Sequence, residues 1–331
     1  MAVSSIGDLA TSTMLRSQNS RLQSEMDTLV QELSSGKVSI RDTALGGSYR
    51  AISGIQTSLK RLEAFELAAT EAEGFSDAMQ SSLGSIQEAT GNLSVELLAA
   101  GNSGTATSAS ASVAGARQDF EAIISWLNTS YAGRTVFGGV ATDTSAIADA
   151  SDILSNLETE ITASGAATVS DVEAVVRDWF AAGSAYLGSS QTLSPMTVGA
   201  GQTVEFDITA QNQEIQDTLS GIAMAIFVDS PSVVFSSDQQ VLLAERAGEI
   251  LLRANQDLLV SRADVGALQE TIEDAQVEMI SERTSMDLAL SELMTADPYD
   301  RATKLTQIET QIEMLYTLTV RTSNLNLTNF L

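Results

Sequence analysis

The chain has no histidine and no cysteine among its 331 residues. Their absence excludes imidazole acid–base chemistry, Ser–His and Cys–His nucleophiles, disulfides, and metal sites built on His or Cys. Proline is nearly missing. It occurs at Pro195, Pro231 and Pro298, so the first 194 residues are free to form long uninterrupted helices. Aromatic residues make up only 5%. Basic residues are outnumbered 43 to 17 by acidic ones, and a net charge of −26 argues against nucleic acid as a partner. No apolar run reaches bilayer length, the most notable being Ile222–Val228, so membrane insertion is not expected. Met1–Gly7 is too short and too polar for the apolar part of a signal peptide, and no A-x-A site follows it. The expectation is a soluble chain that, if it leaves the cell, leaves without a cleaved signal.

What is present is 44% apolar and rich in Ala, Leu, Ser, Gln and Glu, a mixture that favours helices with aliphatic cores. The length allows two or three domains. Charge is unevenly placed. Residues 1–38 and 295–331 each carry four acids and three bases, so nearly all the net negative charge lies between them. Near-neutral ends can pack tightly in an assembly, while an acidic middle keeps the rest in solution.

The N-terminal arm carries Leu15, Leu22 and Leu29 at seven-residue intervals, with Asn19, Met26 and Leu33 in the alternate seam row. Such 4-3-4 spacing predicts a heptad helix, ended by Ser34-Ser35-Gly36. Toward the other end, Ile272, Met279, Met286 and Leu293 form one row, and Leu268, Ala275 and Ala289 a second that Glu282 interrupts. Asp297-Pro298 breaks the helix, and Leu305, Ile308, Ile312, Leu315 and Thr319 begin another. Two compatible arms predict an antiparallel coiled coil of the termini.

Between them, residues 51–100, 105–127, 210–228 and 237–262 read as helices. Residues 141–209 differ, with ten acids against the single base Arg177. They hold two short helical pieces, a Gly199-Ala200-Gly201 turn and an alternation of Val204, Phe206 and Ile208 that predicts a hairpin strand. The expected architecture is therefore mainly α: a long antiparallel helical bundle or coiled coil formed by both termini, with a small inserted α+β domain. Its parts are arms at 1–38 plus 295–331, a helical bundle at 39–140 plus 210–294, and the insert at 141–209. An insert of this kind is expected to be removable without loss of the helices.

Catalytic chemistry finds little purchase. Asp143-Thr144-Ser145 matches the aspartic-protease tripeptide, but no second copy exists to face it. Glu71/Glu73 and Glu273/Asp274 read as solvated helix surface, because neighbours one or two apart do not share a helical face. Met14, Met26, Met279 and Met286 read as packing residues. Sequons at Asn92, Asn128 and Asn326 carry little weight without a secretory signal. No EF-hand, P-loop or dinucleotide fingerprint occurs. No enzyme, cofactor or metal is implied.

Residues 29–47 read LVQELSSGKVSIRDTALGG. The segment resembles the N-terminal signature of flagellins, with Leu33-Ser34-Ser35-Gly36-Lys37 matching residue for residue and Asp42, Gly46 and Gly47 only loosely. Residues 132–144 read AGRTVFGGVATDT. Gly133, Arg134, Phe137, Gly139, Thr142, Asp143 and Thr144 fit a segment of flagellar hook-filament junction proteins of the hook-associated protein three type. The ending Asn324–Leu331 departs from the usual flagellin one. The resemblance implies a secreted structural component at the hook-filament junction, exported through the flagellar channel. It also implies partners: a hook-associated protein on the hook side, flagellin on the filament side, copies of itself, and an export chaperone with the secretion apparatus. Leu15, Leu22, Met26, Leu29, Leu33, Leu305, Ile308, Ile312 and Leu315 are the expected assembly surface. Gly133, Arg134 and Phe137 are expected to shape the turn where the chain leaves the helical core. A filament flagellin is the nearest alternative, and a secreted coiled-coil effector or adhesin the alternative of another class.

Overall fold

A computed structural model describes residues 3–39, 49–230 and 233–328. Among these the chain is mainly helical. The helices are α1 (Val3–Ser35), α2 (Tyr49–Ser103), α3 (Ala106–Ser112), α4 (Ala116–Leu127), α5 (Ala150–Ser164), α6 (Val169–Ala181), α7 (Gln213–Phe227), α8 (Ser237–Met294) and α9 (Pro298–Thr328). Two small antiparallel hairpins join β1 (Ser130–Tyr131) to β2 (Arg134–Thr135) and β3 (Met196–Gly199) to β4 (Gln202–Val204). The chain divides into two compact units, residues 1–61 with 280–331, and residues 62–279.

The first unit pairs the terminal helices. Glu32 meets Arg301 and Gln23 meets Tyr316, so α1 and α9 run antiparallel. The break between α8 and α9 follows from sequence: Pro298 opens α9, where its missing N–H costs nothing. Asp297 caps that end, its Oδ1 accepting from the N–H of Tyr299 at 2.9 Å.

In the second unit, α2 and α8 form the long axis. Ala69, Ala72, Phe75, Met79, Leu83, Ile86, Thr90, Leu93 and Leu97 are buried on α2 at spacings of three and four. The α8 side supplies Leu243, Ala247, Leu251, Ala254, Leu258, Val265 and Ile272. Helix α7 is buried on most of its surface, with α4 and α6 packed on it. Helix α6 starts at a capping box, Thr168 Oγ1 accepting from the N–H of Asp171 while the Asp171 carboxylate accepts from the N–H of Thr168. Hydrogen bonds donated to its carboxylate, first by the Thr168 side chain and then by the N–H groups of Thr168 and Ala167, hold the Asp171 pKa below the ordinary carboxylate value.

Three local expectations need correction. Residues 105–127 are two helices rather than one, because the chain turns at Val113-Ala114-Gly115, where Val113 closes α3 and Gly115, a poor helix former, precedes α4. The helix expected at 237–262 runs on unbroken to Met294. The strand expected through Val204, Phe206 and Ile208 stops at Val204. Val204, Phe206 and Ile208 still alternate inward, but the Ala210 N–H is taken by the carbonyl of Phe137 rather than by a ladder.

Candidate assembly and junction elements

The arm seam is built from the heptad residues. Leu22, Leu29 and Ile308 form a buried cluster, with Met26, Leu305, Ile312 and Leu315 packed partly buried against it. Leu15 is buried farther along α1. Leu33 is not in this cluster and stays 39% exposed. At its level α9 presents Arg301, which pairs with Glu32 on the next position of α1. The outer faces of the arms carry further apolar side chains: Met14 (62% exposed) and Val30 (49%) on α1, Met314 (65%) and Val320 (59%) on α9.

The Leu33–Lys37 motif has a clear local role. Gly36 adopts φ +67° and its N–H bonds the carbonyl of Glu32 at 2.8 Å, closing α1 with a left-handed residue. The reversed chain then pairs with the α8–α9 break. Ala296 N–H donates to the carbonyl of Gly36 at 2.9 Å, Val38 N–H to the carbonyl of Met294 at 2.7 Å, and Lys37 faces Thr295 in an antiparallel bridge. Val38, Ile52 and Ala296 form a small core beside it, with Leu290, Leu293 and Met294 packed on. A buried ion pair ties this node together. Arg301 Nη1 lies 3.0 Å from Glu32 Oε2, both side chains are under a tenth exposed, and Glu32 Oε1 accepts the Ser39 N–H at 2.6 Å. Glu32 and Arg301 were not singled out in the sequence, although Glu32 sits one residue before the motif. The loosely matching Asp42, Gly46 and Gly47 lie outside the described residues.

The second motif folds as a hairpin on α2 in the other unit. Ala132 (φ +49°) and Gly133 (φ +78°) make the two-residue turn between β1 and β2, both in the left-handed region such a turn requires. Arg134 Nη1 donates to Glu71 Oε1 at 2.6 Å, and its guanidinium lies 5.7 Å from the centre of the Phe75 ring. Phe75 in turn meets Phe206 edge-on at 4.9 Å. Tyr131 rests against Gly74, where any Cβ would overlap its ring and hydroxyl. Glycine inside a long helix is thus the signal for this docking. Phe137 is buried. Gly139 (φ +59°) has no room for a side chain, because a Cβ would strike the carbonyls of Ser189 and Gln191. Asp143 is exposed, while the neighbouring Thr142 carbonyl accepts from the Thr135 N–H. These residues act as a structural corner. Glu71 is therefore an ion-pair partner, and Glu73 accepts from Gln276 Nε2, where bare solvated surface was expected.

Of the sequons, Asn128 spends its amide on a reciprocal pair of bonds with the backbone of Ile147, at 3.0 and 3.1 Å. Among the described residues no group of three or more acids could hold a metal ion, and no helix is long and apolar enough to cross a membrane.

Residues 249–331 match the family model of the bacterial flagellin C-terminal helical region. No curated protein matches the chain. A Vibrio parahaemolyticus protein assigned as a flagellar hook-associated protein is similar in structure over 76% of this chain and 98% of its own, at 14% identity and a TM-score of 0.53. Bacillus cereus FlgL is similar over 70% of this chain and 96% of its own, at 12% identity and a TM-score of 0.50. The two structural likenesses show a shared fold.

Proposed function

We propose that this protein is a structural axial component of the bacterial flagellum, secreted and positioned at the hook-filament junction. The observation that carries the reading is a flagellin-type C-terminal region, residues 249–331, in a chain whose fold is similar to that of a Vibrio flagellar hook-associated protein and of Bacillus cereus FlgL. The hook-filament motif at 132–144 supports the junction over the filament itself. Function then resides in surfaces. Arms at 1–38 and 295–331 supply apolar side chains for packing between subunits, the bundle at 39–140 and 210–294 carries them, and the acidic insert at 141–209 faces solvent.

In this reading one end of the assembled layer meets a hook-associated protein and the other meets flagellin. Before assembly the chain is handled by an export chaperone and passes through the flagellar secretion channel. The expected result of immunogold labelling on isolated flagella is a single band of label where hook meets filament. The family match itself favours one rival, a filament flagellin. Label along the whole filament, or growth of long filaments from the purified protein alone, would establish that rival and overturn the junction reading.

A further inference from the structure

We infer that a polar ladder along the α2–α8 pair, rather than its apolar seam, fixes the register in which these two helices lie. Asn255, Arg262, Gln269 and Gln276 recur at seven-residue intervals on α8. Each reaches α2. Asn255 Nδ2 donates to the carbonyl of Gln87 at 2.6 Å, and Arg262 Nη1 donates to the Gln87 side-chain oxygen. Gln80 Nε2 donates to the carbonyl of Arg262 at 3.3 Å. Gln269 Nε2 donates to Asp77 Oδ1 at 2.7 Å and Gln276 Nε2 to Glu73 Oε2 at 2.8 Å. The partner side also steps by sevens: Glu73, Gln80 and Gln87 in one row, Asp77, Gly84 and Gly91 in the next.

The glycines report the same register. Gly91 faces Asn255, where a Cβ would stand 3.0 Å from Nδ2, and Gly84 faces Arg262 at 3.5 Å. Farther along, Gly101 lies against Glu245, and Gly248 against Leu97 and Leu98. A polar cleft of about 830 Å³ runs beside the rungs.

Energetics argue that the ladder serves specificity. Gln80 Oε1 and Arg262 Nε are buried with no hydrogen-bond partner among the described residues, a cost rather than a gain in stability. The buried seam, by contrast, is largely Ala and Leu with a seven-residue period. Such a seam can be re-formed after a one-heptad slip of about 10 Å along the axis. A polar rung cannot, because a slip leaves its donors facing the wrong acceptors. Single polar seam residues specify register in this way at the expense of stability.

The test uses the full chain, in which introduced thiols meet no native cysteine. Asp77→Cys with Gln269→Cys reports the native register, and Thr70→Cys with Gln269→Cys reports a one-heptad slip. With the upper rungs intact, oxidation should close the 77/269 bridge and leave the 70/269 pair reduced. In a chain that also carries Gln80→Leu, Gln87→Leu, Asn255→Leu and Arg262→Leu, helical circular dichroism should be retained. The melting temperature should be equal or higher, and the 70/269 bridge should appear. A fourfold variant that stays helical and closes only 77/269 would overturn the inference. Should that variant lose its helical signal, Asn255→Leu with Arg262→Met is read by the same two bridges, and a purely native pattern there overturns it equally.

Discussion

Gly139 shows how much a single residue can decide. Its φ of +59° already disfavours a side chain, and the Ser189 and Gln191 carbonyls occupy the space a Cβ would need. Gly139→Ala should therefore destabilise by roughly 2 kcal/mol or more, since strain and steric overlap add. A thermal melt within a degree of wild type would refute that account of the corner. The Glu32–Arg301 pair is a second such place. Removing one partner of a buried ion pair leaves a charge without compensation, a loss of about 3–5 kcal/mol. Arg301→Met should lower the melting temperature and raise amide exchange at Val38 and Ser39, which the node holds. Unchanged exchange there would mean that the β-bridge at Lys37 alone fixes the chain. The Arg134–Glu71 pair is more exposed, at 33% and 44% of the side chains, so its contribution is orientation more than stability.

At the scale of elements, the long helices were legible because the physics that makes them is local. Missing prolines, aliphatic period and the Gly36 stop required no tertiary information. What was not legible is where a side chain finds a distant partner. Arg134 with Glu71 and Glu32 with Arg301 join positions 63 and 269 apart in sequence, and spacing rules do not reach across such gaps. Leu33 illustrates the limit from the other side: the heptad row predicts it inward, yet an ionic pair holds the seam at its level. The insert is a further case. Its charge suggests a removable piece, but Val172, Val176 and Phe180 of α6 are fully buried, and α6 packs on α7. Arg246 adds a clamp, bonding Glu173 through Nε and Nη2 at 2.7 and 3.0 Å. Replacing residues 145–205 with a short Gly/Ser linker would uncover the apolar surface of α7. The shortened chain should melt at least 10 °C lower and bind hydrophobic dyes, the equivalent of several kcal/mol. Unchanged melting would show the insert to be independent after all.

At the scale of the whole molecule, the proposed function requires the outer faces of the terminal arms to pack between subunits. The arms carry two sets of apolar side chains, an inward seam and an outward face. Leu22 and Ile308 are buried inside the α1–α9 pair, so a charge there opens the pair itself. Val30 and Met314 point outward and leave that seam untouched. They are therefore the residues on which packing between subunits can be tested without disturbing the fold. The decisive measurement is the amount of this protein and of flagellin in culture supernatant against that on sheared flagella, for Val30→Asp with Met314→Asp. Glu160→Gln on the exposed surface of α5 serves as the control. The double variant should keep wild-type helical content and melting, be exported, and be lost to the supernatant together with flagellin, while the control assembles normally. Normal filaments bearing the double variant would contradict that requirement.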